Sequence, residues 1–276
     1  MAIISLTTDF GEKDHFVGAV KGAVYREAEE VRIVDISHQV SPFNVEEAAY
    51  ILGNAYRDFP EGSIHVYGVD SERNPDTRHI AVCFDGHYFV GADNGVMSLI
   101  IGEGTPEKMV EINLYNDMDT IFPCKDVFVR VACHIARGGK LEVVGKPIGE
   151  LKSLKAFTPL LNTEQDTVTG HVVYVDNYGN VVTNISRQLF ENVRRGRKFE
   201  LYARNYRFEK IHAKYSDIVN FSIEKPLRDD DGKRLAVFNS AGYIELAMYR
   251  SNRDTVGGAS SLLGLSYRDV VTVRFL

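Results

Sequence analysis

Basic residues are in short supply. The 32 Lys and Arg stand against 38 Asp and Glu, a formal charge of −6, so the charge balance gives no argument for a nucleic-acid partner. Long apolar runs are missing as well: none approaches the roughly 20 residues that cross a bilayer. The N-terminus has neither the basic region nor the small-residue cleavage site of a secretory signal. A cytoplasmic protein without a membrane partner is the expectation. The only cysteines are Cys83, Cys124 and Cys133, an odd number without metal-ligand spacing; they read as buried thiols, with Cys124 alone beside polar residues. There is no internal repeat, low-complexity segment, Walker loop, dinucleotide fingerprint, serine elbow or histidine pair at metal spacing. What is left is a composition ordinary for a folded chain, 44% hydrophobic and 25% charged, over 276 residues, enough for one large domain or two.

The most informative stretch is the first. An apolar run from Ile3 to Leu6 ends in Thr7-Thr8-Asp9-Phe10-Gly11, and a helical pattern starts near Phe16. This predicts a strand, a tight turn and a helix. In an open α/β sheet, ligands sit at the carboxyl ends of strands, where Asp9 and Asp14 would face a common crevice. Such an acid accepts hydrogen bonds from ribose hydroxyls, caps the helix or approaches a metal, and the abundance of acids near helix starts favours the cap.

Val31 to Ile36 reads as a second strand, which gives a β-α-β start and a mainly parallel sheet. Asn44 with Glu47 resembles a capping box for a helix running to about Arg57, and Phe43 just before it is either a hydrophobic staple or an aromatic wall for a flat ring. Ser63 to Val69 is a third strand, ending in the charged loop Asp70-Ser71-Glu72-Arg73-Asn74-Pro75-Asp76-Thr77-Arg78-His79. Asp85-Gly86 between two apolar runs is a hairpin signal, and Asp93-Asn94-Gly95 reads as a structural turn that tolerates unusual backbone angles. A helix with Val127, Val131 and His134 on one face stops at Gly138-Gly139, His134 reading as structural.

From about Gly149 to Asp166, a stretch that includes Lys155, the pattern loosens into an expected linker. Beyond it, short β-rich runs separated by turns suggest a small barrel or sandwich. The fold expected is therefore an α/β N-terminal domain over residues 1–155, with helices on both faces of its sheet, and a C-terminal all-β barrel domain over 167–276. The turn Asp176-Asn177-Tyr178-Gly179-Asn180 suits a polar heteroaromatic ligand or an ordinary hairpin.

These motifs together resemble the S-adenosylmethionine hydrolase family, the S-adenosylmethionine hydroxide adenosyltransferases, to which fluorinases and chlorinases also belong. The resemblance rests on Thr7-Thr8-Asp9-Phe10-Gly11 with Asp14, Val17-Gly18 and Lys21-Gly22. Ser41-Pro42-Phe43, Val69-Asp70, Asp93-Asn94-Gly95, Gly179-Asn180, Thr183-Asn184 and Asn239-Ser240 with Gly242-Tyr243 come next, in the family's order. It implies a homotrimer that binds S-adenosylmethionine, a small nucleoside ligand, between the N-terminal domain of one subunit and the C-terminal domain of the next, with no cofactor. By position, Asp9 would hold the ribose hydroxyls with Asp14 nearby, and Phe43, Phe122 and Cys124 would line the ligand. Asp176 would receive the methionine ammonium group, Tyr178 and Asn180 the adenine, and Ser240 the methionine carboxylate. Carboxylates, a π-face and amides are what a zwitterionic, cationic, aromatic ligand requires.

The implied reaction is attack of water, or of halide in specialised members, on the ribose 5′ carbon. The family's Asp, Arg and His fall here on Asp70, Thr77 and Pro123. Arg73 or Arg78, and Cys124 or Lys125, are the candidates to replace the lost partners. Two further readings stand beside hydrolysis: a binding protein that holds an adenosine compound without turnover, and a metal-assisted hydrolase built on Asp9, Asp14, Asp70 and Asp93.

Overall fold

The apolar run that opens the sequence forms β1 (Ile3–Thr8), and α1 (Phe16–Glu27) and β2 (Arg32–Ser37) complete the expected β-α-β start, β1 and β2 pairing in parallel. The computed structural model describes residues 1–114, 120–154 and 157–276. It divides into two compact units, Met1–Ala156 and Phe157–Leu276. Lys155, the last residue of the expected N-terminal domain, lies outside the described residues.

The first unit continues with α2 (Val45–Ala55), β3 (Ile64–Gly68), β4 (His79–Phe84), β5 (His87–Ala92), α3 (Val96–Ile101) and β6 (Lys108–Ile112). It closes with α4 (Val129–Ala136), α5 (Leu141–Val144) and β7 (Gly145–Pro147). Its sheet runs β2-β1-β3-β5-β4-β6-β7. The ladders joining β2, β1, β3 and β5 are parallel, whereas β4 runs antiparallel to β5 and β6, and β6 antiparallel to β7. The mainly parallel sheet expected from the sequence is therefore a mixed one. The reason is the two-residue turn Asp85-Gly86, both residues at positive φ (54° and 73°), because so short a connection joins only antiparallel strands.

Strand alternation sorts the core onto two faces. Ile64 and Val66 of β3 pack with Val20 and Val24 of α1 and with Val131 and Ala132 of α4. On the opposite face Tyr67 joins Ile80, Val82 and Phe89, covered by Ala48 and Leu52 of α2 and by Val96 and Met97 of α3. Each fully buried Val, Leu, Ile, Phe or Met among them contributes about 1.5–3 kcal/mol. With its layers held this way, the sheet presents the carboxyl ends of β1, β3 and β5 as one edge.

The second unit contains β8 (Leu160–Leu161), β9 (Thr167–Val175), β10 (Val181–Ser186), α6 (Arg187–Arg194), β11 (Phe199–Ala203) and β12 (Tyr206–Phe208). It ends with β13 (Ile211–His212), β14 (Arg234–Phe238), β15 (Tyr243–Met248), α7 (Ala259–Leu263) and β16 (Val270–Phe275). Its sheet runs β12-β11-β16-β9-β10-β15-β14-β13, with β8 added on β9. It is nearly barrel-shaped, but no ladder joins β12 to β13 among the described residues. Nor is the unit all β. Ser186 caps α6 by accepting the Leu189 N–H at 3.1 Å, and Phe190 and Val193 of that helix enter the core, so the expectation of strands alone is corrected by a Ser-capped amphipathic helix.

The expected linker is divided between the units. Lys152 donates its backbone N–H to Asp93 Oδ1 (2.9 Å) and Leu154 to Ser98 Oγ (3.0 Å) in the first unit, whereas Leu160 and Leu161 pair with β9 in the second.

Candidate functional site

Asp9 comes directly after the last residue of β1, and its carboxylate turns toward the stretch leading into α2, where Oδ2 accepts the Phe43 N–H at 2.9 Å. Burial raises its pKa above the usual 3.8 against the backbone hydrogen bonds of Phe43, Asp9 itself and Asp70, and the neighbouring Asp70 charge adds to the rise. The helix-cap reading is corrected here. Neither Asp9 nor Asp14 caps α1, whose first residue is preceded by His15 without a side-chain cap, and Asp14 is exposed to solvent.

Asp70, just past β3, has φ 44°, a left-handed conformation unfavourable for a side chain other than glycine. It is held there by Asn94, whose Nδ2 donates to the carbonyls of Val69 (2.8 Å) and Asp70 (3.1 Å) while its Oδ1 accepts the Val96 N–H. The turn Asp93-Asn94-Gly95 is thus more than a connection, and the unusual backbone angle in it falls to Gly95 at φ 108°. Phe43 is also left-handed, at φ 61°, and 74% exposed. So open a ring forms no staple over α2, although Asn44 and Glu47 do form the predicted cap. Two strained residues around one half-buried carboxylate are what a ligand site is expected to display.

Cys124 closes the same locus from behind. It is fully buried in the π-helical turn Cys124–Phe128 that Pro123 opens ahead of α4. A Cβ on Gly68 would stand 2.8 Å from its Sγ. Burial, with the charge of Asp9, pushes the thiol up to about 12, so Cys124 stays neutral and supplies neither a base nor a thiolate nucleophile. Phe122 packs edge-on against Phe10 and Phe16, with ring centroids 5.5 Å apart in each pair. Lys125 pairs with Asp126 at 3.2 Å.

The arginines take other partners. Arg78 Nε donates to the buried Asp93 Oδ2 at 2.8 Å, and its Nη2 donates to the Glu150 carbonyl. Arg73 lies 3.7 Å from Glu111. Thr77 is buried and closes a tight turn with Asn74, and His79 bonds the Ser71 carbonyl at 3.0 Å. With Asp93 tied to Arg78 and Lys152, the acids proposed as a cation cluster do not converge. Among the described residues, no group of three His, Cys, Asp or Glu side chains is arranged to hold a metal ion.

In the second unit, Asp176 organises its own turn. Oδ1 accepts the backbone N–H groups of Tyr178 (2.9 Å) and Asn180 (2.8 Å), and Oδ2 accepts Asn180 Nδ2 (2.9 Å). A carboxylate has about four acceptor positions, so capacity remains for a cation. Tyr178 projects from the turn, 71% exposed, while Asn180 is buried. Gly179, at φ 78°, lies against Gly258, and its carbonyl accepts the Ser260 N–H at 2.8 Å. Ser240 sits exposed at the tip of a second turn held by Asn239 Oδ1, which accepts the N–H groups of Ala241 and Tyr243.

The sequence reading passed over Glu245, a buried carboxylate on β15 that accepts the Tyr215 hydroxyl at 2.6 Å. Burial raises it, Tyr215 and Asn239 oppose the rise, and the charge of Asp176 adds to it. Its signal was a lone acid inside an apolar strand.

Residues 4–145 match the family model of the SAM hydroxide adenosyltransferase N-terminal domain, and residues 170–272 that of the C-terminal domain. The (R)-S-adenosyl-L-methionine hydrolase of Methanocaldococcus jannaschii is 26% identical over 99% of this chain and 96% of its own. The protein of the same name from Salinispora arenicola is 32% identical over 70% of this chain and 75% of its own. The crystal structure of an uncharacterized conserved protein from Thermotoga maritima matches with a TM-score of 0.83 at 28% identity, covering 99% of this chain and 100% of its own.

Proposed function

This chain belongs to the SAM hydroxide adenosyltransferase family, and we propose that it is an enzyme that hydrolyses S-adenosylmethionine to adenosine and L-methionine. Water attacks the ribose 5′ carbon from the side opposite sulfur. The new O–C5′ bond forms as the S–C5′ bond breaks, its electron pair goes to sulfur to give the neutral thioether of methionine, and the water gives up one proton. Because a sulfonium is already a good leaving group, alignment and desolvation of the nucleophile supply most of what the enzyme adds.

The observation that carries this reading is the pairing of Asp9 and Asp70 at adjacent strand ends, with Asp70 held in the left-handed conformation by Asn94. Asp9 takes the ribose hydroxyls and Asp70 orients the water; Phe43, Phe122 and Cys124 line the ligand. Asp176 takes the ammonium group, Tyr178 and Asn180 the adenine, and Ser240 the carboxylate. Of the two arginines proposed for catalysis, Arg78 is tied to Asp93, and Arg73, 3.7 Å from Glu111, is the one assigned to the water site. The assembly belonging to this proposal is a homotrimer with its sites between subunits.

One observation favours a second reading, binding without turnover. The positions of the family's Arg and His are Thr77 and Pro123, and the neighbouring Cys124 is held neutral. The two readings separate when purified protein is incubated with S-adenosylmethionine and both products are followed by chromatography. Adenosine and methionine from the wild type, absent from Asp70→Ala while that variant still binds adenosine, support hydrolysis. Saturable binding without product supports the second reading, and unchanged turnover in Asp70→Ala contradicts the role of Asp70.

A further inference from the structure

The turn that presents Asp9 lacks regular sheet support on the β2 side. Pairing between β1 and β2 slips register between Leu6 and Thr7, and the last paired residues are Thr7 and Ser37. From Thr8 onward the turn is held instead by the segment after β2. Gly11 N–H donates to the His38 carbonyl (2.7 Å), Val40 N–H to the Thr8 carbonyl (3.3 Å), and Phe43 N–H to Asp9 Oδ2 (2.9 Å).

A line of side chains backs these bonds. Thr8 Oγ1 lies 2.8 Å from His38 Nδ1, His38 Nε2 approaches Asp35 Oδ1 obliquely at 3.1 Å, and Asp35 Oδ2 accepts Lys21 Nζ. His38 Nε2 makes no hydrogen bond, so its contact with Asp35 is electrostatic; with the proton on Nε2, Nδ1 accepts the Thr8 hydroxyl proton. Burial alone would raise Asp35, but Lys21 and His38 outweigh it and hold the carboxyl below its usual range. A threonine, a histidine and an aspartate in line resemble a nucleophile with its base and orienting acid. Thr8 and His38 are only 1% and 4% exposed, however, and Thr8 Oγ1 also accepts the Phe10 N–H at 3.4 Å. A hydroxyl so enclosed cannot reach a substrate. Its neighbour in the chain, Asp9, can.

We propose that His38 is a positioning residue: by linking Thr8 to the Asp35–Lys21 pair, it sets the Asp9 carboxylate to accept both hydroxyls of a ribose, which makes the site selective for ribonucleosides. This rests on the nucleoside reading given under Proposed function. The side-chain line reinforces these backbone bonds at the point where the strand must present a carboxylate in a fixed direction.

The test compares adenosine with 2′,3′-dideoxyadenosine by calorimetric titration of the full-length protein, wild type and His38→Gln. The wild type binds adenosine more tightly. His38→Gln loses roughly tenfold in adenosine affinity, the scale of a displaced hydrogen bond to a charged group, and little for the dideoxy compound, so the preference collapses. A merely structural histidine would weaken both ligands alike, and that result overturns the proposal. Should His38→Gln fail to fold, Lys21→Met at the half-exposed end of the line reads the same ratio, with an expected loss of about two- to fivefold for adenosine alone. Tight adenosine binding with the ratio unchanged in the variants contradicts the proposal and leaves the nucleoside reading intact; no binding of either nucleoside by the wild type overturns both.

Discussion

At the scale of single residues, the proposed ribose contact turns on how Asp9 is ionised. Burial lifts its carboxyl above 3.8, so it takes up a proton before an ordinary aspartate does. Only the carboxylate accepts two ribose hydroxyls. Adenosine affinity is therefore expected to weaken as the pH falls from neutrality toward the raised Asp9 pKa, while 2′,3′-dideoxyadenosine affinity stays level. Titration calorimetry across that range checks this, and an Asp9→Asn variant should show weak, pH-independent adenosine binding. A wild-type profile equally steep for both nucleosides would assign the proton to another group.

At the scale of elements, the second unit depends on a close backbone approach. A Cβ on Gly258 would stand 2.6 Å from the Tyr178 carbonyl and 2.7 Å from Gly179 Cα, with no flexible side chain to yield. Gly258→Ala is expected to destabilise the protein by about 1–3 kcal/mol in urea unfolding and to weaken adenine-containing ligands by displacing Tyr178. Unchanged affinity would remove Tyr178 from the site. Much of this scale was legible in the sequence. The strands and turns around Asp9, Asp70 and Asp176 arise from apolar runs broken by Gly, Asp and Asn, which punctuate any chain in the same local way. What was not legible is what distant residues decide. The Arg78–Asp93 pair, the hold of Asn94 on Asp70 and the line from Thr8 to Lys21 join residues far apart in sequence. Likewise α3, α6 and α7 are short helices whose stability comes from packing rather than from a long periodic pattern.

At the scale of the whole molecule, acid should unfold this protein through histidines on the first sheet. Burial, together with the facing His87, lowers His65 to about 3, and burial lowers His79 to about 4, against 6.5 in an unfolded chain. The unfolded state then binds more protons throughout the interval below 6.5. Stability present above that pH is thus lost as pH falls toward 4 and, for His65, toward 3. The raised carboxyls of Asp9 and Glu245 carry the opposite sign. The histidine share is therefore read from urea midpoints of wild type and His79→Gln at neutral pH and near pH 5: the variant should lose less on acidification, and parallel losses would contradict the assignment. Light scattering of the purified protein should give the mass of three chains; a strictly monomeric protein would contradict a site shared between subunits.

The most direct measurement is to supply S-adenosylmethionine in water enriched in oxygen-18 and examine the products by mass spectrometry. Hydrolysis at the 5′ carbon predicts equal amounts of adenosine and methionine, with the heavy oxygen in adenosine alone and no product from Asp70→Ala. Saturable binding of S-adenosylmethionine without adenosine, or adenosine that carries no heavy oxygen, would contradict it.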